Sequence, residues 1–481
     1  MNDDYGKIVN ILKKRKKGAT VADVCADTAL PIETVRALLP KAADEYSAHL
    51  QIKESGEILY DFKGGFISRY HGAGAKIKKA FSIFKKASKT VLIFLFKVWI
   101  MVMLIGYFLL FIALVLASIF LSAAAQSKSS SSSRRSSFFG IDLFTLIWRM
   151  WFLQDVLKPR NAYAYTKKKN TRAMHKAIFS FVFGEENNDK IWQENENKSV
   201  ISYIQANRGV ISLAEYMIFT GKNSNEAQED LLAFCSRYGG SPESTDEGTI
   251  VYRFDDLLLR DDLKNAAELS PAVKQLKVFS YNSKKMNVWF IVINAVNLVF
   301  GSYFLFNSLN TGVLLTQAQY ESASYLYAFT HMLFELFTQY PAFVIFIGLG
   351  IVPFVFSLLF WIIPAVRSRI LKNENEEIKL SNYKKLGFNK IWNNPLNFRA
   401  EKIKIPSDEF SPKNIGSAQD RLIKDFAAVS NVDVEQSETG EVFYSFNEVD
   451  AEKKALEKYR NSIDPERQKL GSTVFDTSQR V

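Results

Sequence analysis

Apolar and polar positions along the chain follow two different patterns. Over three long stretches, 91–125, 286–306 and 341–366, apolar residues run almost without interruption, as in helices that cross or lie in a bilayer. Around them the chain is charge-dense, and there one nine-residue phrase occurs three times, at Glu54–Phe62, Asp246–Phe254 and Glu438–Phe446. Each copy reads acid-x-Gly-x-(Ile/Val)-x-Tyr-x-Phe. The glycine can take the positive φ of a tight turn, and the following Ile/Val, Tyr and Phe alternate onto one strand face, so each copy predicts the second half of a β-hairpin. Gly56, Gly248 and Gly440 stand 192 residues apart in both intervals, and each interval holds an apolar block. The layout expected is soluble unit, membrane block, soluble unit, membrane block, soluble unit.

Upstream of each hairpin the helical signals agree. Ile8, Val9, Ile11 and Leu12 predict a short helix, Thr20 and Asp23 a capping box, and Pro31 the start of a longer helix carrying Val35, Leu38 and Leu39. The second copy repeats this with Ser212 and Glu215, then Asn223 before a helix carrying Leu231, Leu232 and Phe234. From Thr20 to Gly56 and from Ser212 to Gly248 the distance is 36 residues in both cases. Helix, helix, helix, hairpin is a winged-helix order. The third copy keeps the hairpin and a helix over 417–429, but Pro406 and Pro412 fall where its capping box belongs. The fold class expected is therefore mixed: about four α-helical membrane segments plus three small α/β winged-helix-like cytoplasmic domains, at 1–66, 178–262 and, in divergent form with a tail, 398–481.

The segments between them divide as follows. Residues 67–90 read as a basic amphipathic interfacial helix, with Ile77, Phe81 and Phe84 on one stripe and the lysines from Lys76 to Lys89 beside it, suited to anionic lipid headgroups. Residues 91–125 are too long for one ordinary span, since about 20 residues cross ~30 Å of hydrocarbon; they fit either a hairpin turning near Gly106 and Tyr107 or one long span paired with 138–157. Residues 126–177 hold a Ser-rich basic linker and an aromatic interfacial or spanning segment. Transmembrane helices follow at 286–306 and 341–366, with an outward loop at 307–340 and a basic linker at 367–397.

Charge orients these pieces. Formal charge is +7 over 1–90 and +9 over 126–176, flanking the first apolar block, whereas 177–285 carries −5 and 307–340 has no Lys or Arg. Lys/Arg-rich flanks belong inside, which gives a multi-pass protein of the cytoplasmic (inner) membrane with both termini cytoplasmic. No signal peptide precedes the first block, which must serve as its own targeting signal. Cys25 and Cys235 are the only cysteines, far apart in sequence, and support neither a disulfide framework nor a thiolate metal site.

Candidate chemistry is sparse. His331 and Glu335 share a helical spacing without a third ligand, and Gly301, Gly348 and Gly350 permit close helix packing. No catalytic, cofactor or metal residue is nominated, and no enzyme activity is inferred. The exposed positions expected on the third helix of the second copy, Asn225 to Asp230, are acidic, which opposes a phosphate backbone and makes nucleic acid an unlikely partner.

The stretches Ile178–Gly184, Val210–Glu215 and Asp246–Phe254 resemble a little-characterised family of cyanobacterial and chloroplast-type membrane proteins, mainly over 138–260. Some members carry an iron-sulfur cluster biosynthesis label, which two cysteines without ligand spacing do not support. The resemblance implies membrane architecture and no chemistry. The functional expectation is an integral membrane protein presenting repeated winged-helix-like domains to a cytoplasmic protein partner, with homo-oligomerisation open. Its rivals are a transporter or channel component and a membrane-tethered DNA-binding regulator.

Overall fold

The computed structural model describes residues 2–15, 18–62, 66–69, 88–126, 172–185, 188–261, 269–310, 342–399, 403, 410–438 and 442–477. In chain order its elements are α1 (Asn2–Lys14), α2 (Val21–Thr28), α3 (Ile32–Glu45), β1 (His49–Lys53), β2 (Ile58–Asp61), α4 (88–126) and α5 (Met174–Phe183). Then come α6 (Asp189–Ala206), β3 (Val210–Ser212), α7 (Leu213–Thr220), α8 (Ser224–Tyr238), β4 (Ser241–Ser244), β5 (Ile250–Arg253) and α9 (Lys284–Asn310). The last are α10 (342–393), α11 (Ile415–Ala427), β6 (Asp433–Gln436), β7 (Val442–Ser445), α12 (Asn447–Ser462) and β8 (Thr473–Asp476). They form two compact units: Met1–Ala80, Asn187–Lys277 and Lys372–Val481 make the first, Phe81–Glu186 and Val278–Leu371 the second.

In the first unit, stretches far apart in sequence share one core. Ile8, Leu12, Val24 and Leu39 join Ile204, Met217, Phe234 and Phe254, and with them Phe388, Leu422, Phe426 and Phe446, all buried. Local signals shape the pieces. The Thr20 and Ser212 hydroxyls accept from the amides of Asp23 and Glu215, whose carboxylates accept in return from the cap amides, so both capping boxes form. Gly56 (φ +79°) and Gly248 (φ +84°) turn the first two hairpins through a conformation that only glycine adopts without strain; Gly440 lies outside the described residues.

The tyrosine of each phrase occupies the same place. Tyr60 bridges to Ala19, Tyr252 pairs with Ile211 and Tyr444 bridges to Phe398, all antiparallel. Tyr60 and Tyr252 are buried, and Tyr444 packs partly buried against the same core. Four residues beyond each glycine is this tyrosine, but two beyond it Ile58, Ile250 and Val442 project from the hairpins at 36%, 60% and 39% exposure. Alternation puts all these side chains on one face, and the position nearest the turn overhangs the edge of the core.

Three findings go beyond the sequence reading. Strand β8 pairs with β1, joining Gln51 to Asp476 and Ile52 to Phe475 and making the sheet order β2-β1-β8. Residues 367–397, expected as a linker, are helical through Asn393 and contribute Tyr383, Phe388, Ile391 and Trp392 to the core. The Ile178–Phe183 segment, expected at the start of the second soluble domain, lies in α5 and belongs to the second unit, so the boundary falls at 186/187.

The second unit is built from apolar helices. Among the described residues three are long and apolar enough to cross a membrane: Ser88–Ile119, Lys284–Phe306 and Ile345–Asn393, with only 22%, 33% and 28% of their most apolar windows buried. Leu92, Leu95, Val102, Val288, Val299, Val355 and Ile362 are among the aliphatic side chains left exposed, which suits a lipid surrounding. α4 runs through Gly106 and Tyr107 without a turn, so 91–125 is one long helix and not a hairpin. Glycine breaks a helix less readily here, because hydrocarbon offers no water to a backbone group that leaves its helical partner. The fourth expected segment at 138–157 lies outside the described residues, as do His331, Glu335, the Lys76–Phe84 part of the interfacial helix and most of the outward loop.

Candidate functional site

Two sets of buried polar side chains stand out, one in each unit. In the first unit, each capping-box acid is met by an arginine from far along the chain. Asp23, fully buried, has the Arg260 Nε 3.5 Å and the Arg15 Nη2 3.3 Å from Oδ1, while Oδ2 accepts from the Asp261 amide at 3.0 Å. Glu215, also buried, accepts from Arg460 Nη2 at 2.7 Å, from the Tyr203 hydroxyl at 2.5 Å and from the Ser212 amide at 3.1 Å. The same Arg460 nitrogen donates to the Val210 carbonyl at 2.9 Å, and Arg208 donates to the Arg460 carbonyl at 2.6 Å. Burial, reinforced by the Glu215 carboxylate, raises the Tyr203 phenol, which therefore stays a donor.

These clusters fasten the chain to itself. Arg260 follows the second hairpin and holds the first capping box; Arg460 follows the third hairpin and holds the second. Glu452, one face of α12 further up, is pushed up to about 7 by burial and by the Glu215 charge, with the Ser212 hydroxyl offsetting part of the rise. An open cleft of about 480 Å³ in this unit is lined by Glu54, Asp255, Asp464, Glu466 and Lys469. Its groups are already engaged: Lys469 pairs with Glu466 at 2.6 Å, and Glu54 accepts from the Ser472 amide at 3.1 Å and from its hydroxyl. Burial pushes the Cys25 and Cys235 thiols up to about 12 and about 11, so neither is a ready thiolate. Among the described residues no three His, Cys, Asp or Glu side chains group as metal ligands.

In the second unit the polar groups lie inside the apolar helices. Asn294 and Asn297, three apart on α9 and so on one face, are fully buried. Asn294 Nδ2 donates to the Ser357 carbonyl of α10 at 2.9 Å, and Asn297 Nδ2 donates to the Leu104 carbonyl of α4 at 2.8 Å. The two asparagines thereby tie all three long helices together. Both Asn Oδ1 atoms and the Ser357 hydroxyl are buried without a hydrogen-bond partner.

The backbone departs from α-geometry beside them. π-Helical turns occupy Val102–Gly106 in α4 and Ala342–Ile351 in α10, and Tyr107 donates its hydroxyl to the Gly348 carbonyl at 2.8 Å. Pro353 has no N–H with which an α-turn would close on Leu349, and the wide turns end at that point. Gly301 and Gly350 set the approach of α9 and α10: a Cβ on Gly301 would stand 3.0 Å from the Phe354 amide nitrogen, and one on Gly350 would stand 3.0 Å from the Leu305 Cα. The sequence reading noted these glycines but missed the asparagines. Two amides at helical spacing in an otherwise apolar run were the signal available.

At one end of this unit aromatic and charged groups meet. The Arg172 guanidinium holds Glu185 through two 2.6 Å bonds and lowers it to about 2, with the Ser180 hydroxyl and the Tyr281 amide helping. Arg367 donates to the Phe181 carbonyl at 2.8 Å, at the C-terminal end of α5, and lies 3.9 Å from the centre of the Phe279 ring. Phe94, Phe96, Trp99 and Phe183 are exposed around them, and Lys97 sits 4.5 Å over Phe179. Of these rings only Trp99 is amphipathic; together with Lys97 and Arg367 it is of the kind enriched where an apolar helix meets the membrane–water boundary.

An uncharacterized chloroplastic protein of Arabidopsis thaliana is 23% identical to this chain over 402 residues, which span 78% of the chain and 70% of that protein. This distant likeness agrees with the chloroplast-type part of the resemblance described above. No family model and no solved structure matches the chain.

Proposed function

We propose that the chain is an integral membrane protein whose first unit is a composite of three winged-helix-like modules, held on one side of the membrane to bind protein partners, without catalysis. The observation that carries this reading is the pairing of β8 with β1, because it joins the two ends of the chain into a unit interrupted twice by apolar helices. Stretches that share a core lie on the same side of a bilayer, so the three stretches of the first unit lie together on one side. The Lys/Arg-rich flanks make that side the cytoplasmic one. The modular reading is supported by the common bridge of Tyr60, Tyr252 and Tyr444 and by the order helix, strand, helix, helix, hairpin in α6 to β5.

The contact surface in this reading is the set of hairpin tips, where Ile58, Ile250 and Val442 stand exposed. Nucleic acid fits less well. The exposed positions of α8 include Glu226 and Glu229, and those of α11 are balanced between Asp420, Arg421 and Lys424. A transporter or channel component is the second reading, favoured by the buried Asn294, Asn297 and Ser357 and by the π-turn at Val102–Gly106, whose Leu104 carbonyl accepts from Asn297.

The test is crosslinking in living cells followed by detergent purification and identification of what is retained, for the native chain and for a variant with Ile58→Glu, Ile250→Glu and Val442→Glu. A specific set of proteins captured by the native chain and lost from the folded variant supports the scaffold. Nucleic acid alone, or no partner alongside solute flux in liposomes, replaces it with one of the other readings.

A further inference from the structure

We propose that the outer edge of β6 binds an extended basic segment of a partner protein, which adds to the third hairpin as a further strand. The three hairpins carry the argument, because each sets one residue of its first strand opposite the phrase tyrosine: Leu50 opposite Tyr60, Pro242 opposite Tyr252 and Val434 opposite Tyr444. Each tyrosine turns its main chain away from that strand: Tyr60 exchanges hydrogen bonds with Ala19, Tyr252 pairs with Ile211, and Tyr444 exchanges hydrogen bonds with Phe398. Hydrogen bonding alternates along an antiparallel pair, so the residue opposite the tyrosine points its own main chain the other way, out of the sheet edge.

The three edges differ in what meets them. At the first, the Leu50 N–H donates to the Thr477 hydroxyl at 2.9 Å, Ile52 pairs with Phe475, and the Glu54 N–H donates to the Ser472 carbonyl at 3.0 Å, so an extended segment from the far end of the chain already lies there. At the second, Pro242 has no N–H to offer, and Tyr459 of α12 bonds to the neighbouring Glu243. At the third, Val434 keeps its N–H, and among the described residues no strand pairs with the outer edge of β6. All four β6 residues are exposed, Val434 at 61%. A bare edge of this kind is a template for another chain, and the first hairpin shows such an addition made.

Charge selects the partner. Residues 431–448 hold five Asp or Glu and no Lys or Arg. Asp433 and Glu435 share one face of β6, with Val434 and Gln436 on the other. Asp433 accepts from Asn447 Nδ2 at 2.7 Å, and among the described residues no Lys or Arg pairs with Glu435. The cation on that face, Arg399, stacks on Phe443 of β7 at 4.2 Å, one strand in from the edge. An added strand therefore meets carboxylates at alternate positions on one face and Val434 on the other, which fits Lys or Arg alternating with small or apolar residues. A second β6 would set like charges opposite each other, which counts against pairing between two copies. The proposal rests on the reading of the first unit as protein-binding and adds the chemistry of the partner.

The experiment is fluorescence anisotropy of a labelled peptide of lysine alternating with valine and threonine, added to the full chain in nanodiscs of zwitterionic lipid. Saturable binding is expected, weakened at least roughly tenfold when the peptide is N-methylated throughout, which keeps its charge and removes its strand donors. Val434→Pro copies the second hairpin and costs no bond between β6 and β7, because that N–H faces outward; it is expected to weaken binding by at least roughly tenfold. Glu435→Lys is expected to weaken it too and to admit the same peptide with glutamate for lysine. No saturable binding, or equal binding of the methylated peptide or to the Val434→Pro chain, overturns the proposal. A dimer of the native chain that Val434→Pro abolishes, with no peptide bound, makes a second copy the occupant and also overturns it. Partners captured in cells equally by the native and Val434→Pro chains overturn this edge and leave the protein-binding reading standing. If Val434→Pro melts below the native chain, the Glu435→Lys comparison decides.

Discussion

Arg460→Met is the sharpest perturbation of the first unit. The guanidinium is 13% exposed and the Glu215 side chain 1%, so the substitution leaves a carboxylate buried with the Tyr203 hydroxyl and the Ser212 amide but no countercharge. Removing one partner of a buried pair costs about 3–5 kcal/mol, because the remaining charge has lost its compensation and cannot reach water. At tenfold per 1.4 kcal/mol this is a loss of between roughly a hundredfold and several thousandfold in hydrogen-exchange protection. The loss should concentrate in α12, which carries Arg460 and whose Val449 and Leu456 are buried in the same core, and in β3, whose Val210 carbonyl accepts from Arg460. Glu215→Gln in the same chain should recover most of it, since glutamine keeps the capping box and the Tyr203 bond while removing the stranded charge. Exchange measured by mass spectrometry on the full chain in nanodiscs reads each segment separately. Protection in α12 within threefold of the native chain, or a double variant no better than the single, would refute the view that Arg460 fastens the third stretch to the second.

Two further perturbations test other parts of the account. Glu452 stands at about 7 against an ordinary 4.5, so its protonated form favours the folded state; the contribution is full below about 4.5, shrinks as pH rises through about 7 and is absent above. α12 should lose protection over that window, and Glu452→Gln should flatten the profile; a native profile already flat contradicts the assignment. In the second unit, Gly301→Val places carbon against the backbone of Phe354 and should lower the melting temperature by the equivalent of about 1–3 kcal/mol of overpacking, measured in detergent. No change would mean that α9 and α10 do not meet there.

What the sequence disclosed were features carried by a few neighbouring residues. The capping boxes at Thr20 and Ser212, the hairpin turns at Gly56 and Gly248 and the core positions of Tyr60 and Tyr252 each follow from a local pattern of turn and alternation. The apolar helices were legible from composition, their internal details less so. Gly106 reads as a turn because glycine breaks soluble helices, yet inside an apolar run the helix continues through it as a π-turn. Pro364 likewise sits within α10, and the helix runs on past the expected end at 366. The union of three stretches in one core was not legible at all. β8 meets β1 across more than 400 residues, and a strand of four residues at the C-terminal end carries no local mark of its partner. Arg260 and Arg460 are equally silent, since nothing near either in sequence names the acid it holds.

The central claim is that the two ends of the chain form one unit on one side of the membrane. Ile52 and Phe475 are directly paired across β1 and β8, each 39% exposed, at the spacing of antiparallel neighbours that suits a disulfide. Ile52→Cys with Phe475→Cys, oxidised in native membranes and cut by protease between the apolar blocks, should leave the N- and C-terminal fragments joined until reductant is added. Fragments that separate without reductant, in membranes where each single cysteine is accessible to a thiol reagent, would contradict it.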